Sequence, residues 1–337
     1  MTKEADERYM RRCFQLAANG LGMVAPNPLV GAVIVHNDRI IGEGYHRKYG
    51  EAHAEVNAVN SVADKSLLPD ATIYVSLEPC AHFGKTPPCA DLLVKHRFKR
   101  VVIANRDPFD AVDGKGIERL IANGIDVEVG VLEQEGRELN RRFFTFHEKK
   151  RPYIILKWAQ SKDGFMGREN ESVWITAPET RKLVHLWRSQ EMGILVGRQT
   201  VRVDDPELTV RDVAGNQPTR IIIDRDLQLP STSRVFNAAA PFLVLNEVDA
   251  SDIRVKIDFG NFFPEVMSAL HQRNIASVIV EGGADTLQRF LDAGLFDELR
   301  VLTGNVYLKT GIAAPAVRGE HQSCTTFGAD LIDIYRP

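Results

Sequence analysis

Long apolar runs are missing from this 337-residue chain, and none approaches the roughly 20 residues of a membrane-spanning helix. The first ten residues, MTKEADERYM, carry charge where a secretory leader needs an apolar stretch. Cysteine is scarce: Cys13, Cys80, Cys89 and Cys324 are too few in a chain of this length for a disulfide framework. Charge of one sign is also lacking. With 42 basic against 45 acidic residues the net charge is −3, and no block of like charge stands out. Nucleic acid and anionic membrane are therefore poor partners for it. No G-x-G-x-x-G occurs, so the ordinary dinucleotide fingerprint is absent. The chain reads as a cytosolic enzyme, and 44% apolar composition at this length supports two ordinary domains.

What is present is concentrated in TIYVSLEPCAHFGKTPPCA (72–90), read together with HAE at 53–55. A strand alternating Ile73, Val75 and Leu77 with Thr72, Tyr74 and Ser76 runs out at Glu78-Pro79, and Cys80 follows. A Gly/Pro-rich loop returns to Cys89. His53, Cys80 and Cys89 make three ligands for a tetrahedral zinc, which keeps its fourth position for water as catalytic sites do. Residues i and i+2 of a helix diverge by roughly 200°. His53 and Glu55 therefore converge only if His53 sits in the first turn of the helix that begins near Ala54. Cys89, just before ADLLVKHRF, gains thiolate character from the helix N-terminus. Zinc lowers the pKa of its water to near neutrality. Glu55 is then the proton shuttle to a ring nitrogen and a departing amine. H-x-E followed by P-C-x-x-C is the zinc deaminase signature, but here eight residues separate the two cysteines.

Around this centre, residues 4–18 read as a helix with Tyr9, Cys13 and Leu16/Ala17 on one face and a C-cap at Asn19-Gly20. APNPLVG holds Asn27 in a stiff loop. Residues 30–35 and 39–46, joined by Asn37-Asp38, read as a hairpin that delivers His46. The helix from Ala54 has Val56, Val59 and Ala63 as its expected buried stripe. Strands at 100–105 and 125–131 flank a helix at 115–123 closed by Gly124, which implies a largely parallel sheet. Charges and a proline at 147–152 mark the boundary between domains 1–147 and 152–337.

The second half restarts the α/β alternation: strands at 153–160, 193–197, 220–224, 242–246 and 277–281, helices at 178–190, 264–273 and 285–293. Gly282 and Gly283 sit at a strand-to-helix turn whose amides suit a phosphate. Arg225, directly after the strand RIIID, is a candidate clamp for a cofactor phosphate.

PNPLVGAVIV, GEGYH, HAEVNA and above all EPCAHFGKTPPC resemble the deaminase half of the bifunctional riboflavin-biosynthesis deaminase/reductases. LKWAQSKDG, ESVWIT, ILVGRQTVRVDDPELTVR and VEGGADTL are similar to the reductase half of that family. The match runs from about residue 7 to 304, and the last thirty residues carry no motif. The resemblance implies a cytidine-deaminase-like α/β/α zinc domain followed by a dihydrofolate-reductase-like α/β domain using NADPH. It places His82, Lys85 and Thr86 of the insert at the deaminase substrate, with Asn27 and His46 on the opposite wall. In the second domain it implies Ala159, Trp174, Thr200 and Asp204 for the cofactor, with the loop after Glu281 at its diphosphate. It also implies Ser172, Arg188, Leu208, Arg211 and Glu281 on the substrate side, with Lys157 and Asp204 as further polar candidates near the reacting sugar.

The substrate implied is a pyrimidine ribotide, and a homo-oligomer is usual in the family. The proton of the reduction comes from Glu281, Lys157 or water. Two other readings compete: a nucleoside, nucleobase or tRNA deaminase with an accessory domain, and a zinc-stabilised nucleotide-binding module. The insert and the lack of a basic surplus stand against the first.

Overall fold

The computed structural model describes residues 2–81, 83, 87–109, 112–169, 171 and 173–337. His82, Lys85, Thr86 and Ser172 lie outside the described residues. The chain divides into two compact units, Met1–Lys149 and Lys150–Pro337. Among the described residues no helix is long and apolar enough to cross a membrane.

The first unit opens with α1 (Lys3–Ala18), then β1 (Gly31–His36), β2 (Arg39–Tyr45) and α2 (Ala54–Ser61). Next come β3 (Thr72–Val75), α3 (Cys89–Lys95), β4 (Arg100–Ile103), α4 (Lys115–Ala122) and β5 (Asp126–Val129). Helices α5 (Glu133–Leu139) and α6 (Arg141–Lys149) close it. The strands form one sheet in the order β2-β1-β3-β4-β5. It is mixed where a largely parallel sheet was expected: β1 is antiparallel to β2 and β3, and only β3-β4-β5 run parallel. The expected turn at Asn37 and Asp38, with φ of 47° and 59°, makes the two-residue reversal between β1 and β2.

Helices cover both faces. Ile73 and Val75 pack with Ala58, Val59 and Leu93 on one side. Tyr74 packs with Tyr9, Met10 and Cys13 of α1 on the other. The buried face of α2 is Ala54, Glu55, Ala58 and Val59, continued by Val62; of the expected Val56, Val59 and Ala63 only Val59 belongs to it. The helix stops at Ser61, so Ala63 is out of phase and exposed.

In the second unit the order is β6 (Tyr153–Gln160), β7 (Phe165–Gly167), α7 (Pro178–Gln190), β8 (Gly193–Gly197), α8 (Arg198–Asp204) and β9 (Thr219–Ile223). Then follow β10 (Phe242–Asn246), β11 (Arg254–Lys256), α9 (Phe262–Gln272), β12 (Ser277–Val280) and α10 (Ala284–Asp292). The last strands are β13 (Glu298–Thr303), β14 (Ile312–Ala313), β15 (Glu320–Phe327) and β16 (Asp330–Arg336). Nine of them form a sheet in the order β11-β10-β9-β8-β12-β6-β13-β16-β15. From β11 to β13 the neighbours are parallel, while β16 and β15 add an antiparallel hairpin. The parallel strands are apolar on both faces, as helix-covered strands must be. The final thirty residues, which carry no motif, thus extend this sheet to its edge.

Candidate active sites

The first site forms where α2, the end of β3 and α3 meet. A Cβ on Gly44 would lie 2.3 Å from the Ala58 nitrogen, so only glycine lets α2 rest directly on the backbone of β2. The Asn57 amide holds the entrance of the helix by donating to the Tyr45 carbonyl at 2.9 Å and the Ala52 carbonyl at 3.2 Å. His53 is the N-cap, with extended backbone (φ −71°, ψ 167°). It therefore leaves the helical row, and its ring can share a point with Glu55.

His53 Nδ1 lies 3.7 Å from Cys80 Sγ and 3.4 Å from Cys89 Sγ. The donor atoms of the three residues all fall within 4.8 Å of one another, and no other such group of His, Cys, Asp and Glu occurs among the described residues. Cys80 is pinned to α3: the Ala90 amide donates to its carbonyl at 3.1 Å and the Cys89 amide to its sulfur at 3.3 Å. Hydrogen bonds from Cys89 and His53 push the Cys80 thiol down to about 4, while the Cys89 thiol is pushed up by sharing its proton with Cys80. The helix amide thus favours thiolate on Cys80, where the sequence pointed to Cys89. Two sulfurs and an imidazole that share protons among themselves form the soft donor set a zinc ion displaces those protons from. The residues fit the metal.

Glu55 is buried beside this group. Burial, reinforced by the charge on Cys80, pushes its carboxyl up to about 7, against the opposing pull of His53. His46 packs edge-on to His53 at 5.3 Å between ring centroids. Its Nδ1 faces the Ala52 carbonyl at 3.2 Å and its Nε2 the Asn27 amide at 3.3 Å. The first contact makes Nδ1 the donor, so Nε2 accepts from Asn27. Burial lowers the His46 pKa, which keeps the ring neutral. Asn27 and His46 are therefore bonded to each other.

Two carboxylates absent from the sequence reading complete the site. Glu78, two residues before Cys80, is buried, and its oxygens accept from four backbone amides. These are Asp107 at 3.2 Å, Gly114 at 3.0 Å, Gly116 at 2.9 Å and Ile117 at 3.3 Å. It ties the strand end that carries Cys80 to the first turn of α4. Glu78→Gln keeps the shape but turns a donor toward those amides. A loss of about 3 kcal/mol is expected, read as a lower urea midpoint at unchanged m-value. Asp107, just past the end of β4, is pushed up to about 7 by burial, with Glu78 and Cys80 adding to it. A carboxyl beyond the C-terminal end of a parallel strand is a position that binds ligands, and that was the signal available.

The second unit holds a cavity of ≈ 1310 Å³. Lys157, Ala159, Trp174, Arg188, Thr200, Asp204, Leu208, Arg211, Arg225, Glu281 and Gly283 all stand on its wall. Gly282 does not: a Cβ there would lie 2.5 Å from the Val196 Cα, so this glycine serves the contact between the ends of β12 and β8. Gly283, with φ 34°, caps α10 and does face the cavity. Trp174 is 73% exposed, with the Arg181 guanidinium 4.2 Å over its ring. Arg225 spends its Nε on Glu247 at 2.7 Å.

At the centre of the wall Glu281 accepts from Arg188 at 2.8 and 2.7 Å and from Lys157 at 3.1 Å. Burial pushes its carboxyl up, but Arg188 and Lys157 outweigh burial and hold it well below the ordinary range. It is held ionised at neutral pH.

Comparison with known proteins now decides the assignment. Residues 152–323 match the model of the RibD C-terminal domain, and residues 3–105 match that of the cytidine and deoxycytidylate deaminase zinc-binding region. The riboflavin biosynthesis protein RibD of Aquifex aeolicus is 41% identical over 99% of this chain and 93% of that protein. The chain belongs to the RibD family. RibD of Escherichia coli is 38% identical over 88% of this chain and 86% of its own length. The solved Acinetobacter baumannii RibD superposes with a TM-score of 0.92 at 34% identity, covering 100% of this chain and 99% of that one. A Thermotoga maritima structure follows at 0.90 and 35% identity, covering 99% of each chain. It is described as a diaminohydroxyphosphoribosylaminopyrimidine deaminase/5-amino-6-(5-phosphoribosylamino)uracil reductase. With RibD membership the two units are a zinc-binding deaminase domain and a reductase domain.

Proposed function

We propose that this RibD carries out two consecutive steps of riboflavin biosynthesis. Residues 1–147 deaminate 2,5-diamino-6-(5-phosphoribosylamino)pyrimidin-4-one, and residues 152–337 reduce the ribosyl group of the product to ribityl with NADPH. The observation that carries the reading is the convergence of His53, Cys80 and Cys89 beside a buried Glu55 that no metal ligation needs.

Zinc, when held by those three side chains, would supply hydroxide from water at neutral pH. Glu55, with its carboxyl raised toward neutrality, takes a proton from water and gives it to the ring nitrogen, then takes the proton of the newly added hydroxyl and gives it to the amino group, which departs as ammonia. Asn27 and His46 fix the wall next to His53, and His82, Lys85 and Thr86 of the insert are proposed for the substrate. On the reductase side NADPH, when bound, would supply hydride for C1′ of the opened ribose. Ala159, Trp174, Thr200, Asp204, Arg225 and Gly283 are proposed for the cofactor. Lys157, Ser172, Arg188, Leu208, Arg211 and Glu281 are proposed to hold the sugar and its phosphate so that donor and acceptor carbons align. The enzyme is further proposed to be a cytoplasmic homo-oligomer, to be checked by cell fractionation and light scattering.

The test is to supply the diaminopyrimidine ribotide with and without NADPH and to follow ammonia and NADPH together. Ammonia is expected in both cases, and NADPH loss in proportion to it. Ammonia from cytidine, guanine or tRNA instead, or no turnover with any pyrimidine, contradicts the reading.

A further inference from the structure

Arg211 stands on the cavity wall in the segment after α8, and the way that segment is fixed involves side chains with no role so far. Its neck is closed by Gln217, which accepts from the Val210 amide at 2.7 Å and donates to the Val210 carbonyl at 2.8 Å. Gly215 lies on α7: a Cβ there would sit 2.5 Å from the Ser189 Cβ. One turn earlier on the same helix is His185, buried and on the cavity wall. Its Nε2 faces Asp212 Oδ2 at 3.5 Å. Its Nδ1 is buried without a hydrogen-bond partner among the described residues.

Burying an imidazole with so little satisfaction is costly, so packing alone is a poor reason for it. Charged groups surround it: Arg188 one turn further along α7, Glu281, Arg211 and Asp212, all near enough to act on its charge. Burial, reinforced by Arg188 and Arg211, outweighs Asp212 and Glu281 and lowers its pKa, so the ring is neutral, with its Nε2 facing the Asp212 carboxylate.

We propose that His185 is the positioning residue of the reductase's substrate grip. Through Asp212 it holds the Val210–Gln217 segment down on α7, so that Arg211 is presented beside Arg188 to the anionic end of the substrate. The inference rests on the proposed function, under which that end is a sugar phosphate. A guanidinium held in place loses less freedom on binding than one on an untethered loop, so the tether acts on substrate affinity and not on the hydride step.

His185→Phe, His185→Gln and Asp212→Ala are compared with the unaltered enzyme in NADPH oxidation at saturating NADPH. The probes are the deaminated phosphoribosyl intermediate and its dephosphorylated counterpart. With the phosphorylated probe His185→Phe is expected to raise KM about 10–30-fold, the effect of removing one charge-assisted hydrogen bond to the phosphate, with kcat within about twofold. His185→Gln keeps a donor and recovers part of that loss. Asp212→Ala, which removes the acceptor on the loop surface, raises KM in the same sense, and the double variant is no worse than the worse single one. With the dephosphorylated probe and with the KM for NADPH no change is expected. Equal losses on both probes, a fall in kcat at constant KM, or additive single effects overturn the proposal. No oxidation of either probe by the unaltered enzyme contradicts the proposed function instead.

Discussion

Glu55→Ala is expected to abolish ammonia release while zinc stays bound and reduction of separately supplied deaminated intermediate continues. A positioned general acid/base is worth about 10²–10⁴ in rate, and Glu55 is asked to move protons at both the start and the end of the reaction. Its carboxyl is raised to about 7 by burial and by Cys80, which matches a group that must both accept and give a proton near neutrality. The donor atoms that converge belong to His53, Cys80 and Cys89, with Glu55 outside that set. Removing it therefore leaves the metal its full complement of side chains. Glu55→Gln, which leaves no cavity, is expected to behave alike. Zinc counted in the purified variant separates the roles: loss of metal together with activity would make Glu55 a ligand.

Glu281→Gln carries the largest expected effect in the reductase. The side chains of Glu281, Lys157 and Arg188 are only 6, 12 and 14% exposed, so the carboxylate is the counter-charge of two cations with little access to water. Removing one partner of a buried ion pair costs about 3–5 kcal/mol, because the remaining charge is left uncompensated. The variant is expected to lose NADPH oxidation and to unfold at lower urea, while ammonia release persists. A stable variant with normal reduction would show that Glu281 neither anchors Arg188 and Lys157 nor serves the substrate.

The local grammar of the first site was readable in the chain. A strand ending at Glu78-Pro79-Cys80, a histidine at the cap of the next helix and a cysteine at the start of another each announce an element end, and element ends are where rigid sites are built. The hairpin at Asn37-Asp38 was readable for the same reason, since its turn is set by two adjacent residues. What escaped the reading depends on partners far along the chain. Glu78 looks like a solvated acid until the amides of Asp107, Gly114, Gly116 and Ile117 fold around it. Gly282 reads as a phosphate turn, yet its lack of a side chain is used against Val196, some eighty residues earlier. β15 is exposed along its whole length, so no period-2 burial signal marks it. His185 sits on an ordinary amphipathic helix, and only the return of the Asp212 segment gives it a task.

An open zinc site with three protein donors is the centre of the deaminase. X-ray absorption at the zinc edge of the purified, zinc-replete enzyme tests it directly. Two sulfurs at about 2.3 Å, one nitrogen near 2.0–2.1 Å and one light oxygen atom are expected, with one sulfur lost in Cys80→Ser. Four protein donors, or an edge spectrum unchanged by Cys80→Ser, would contradict it.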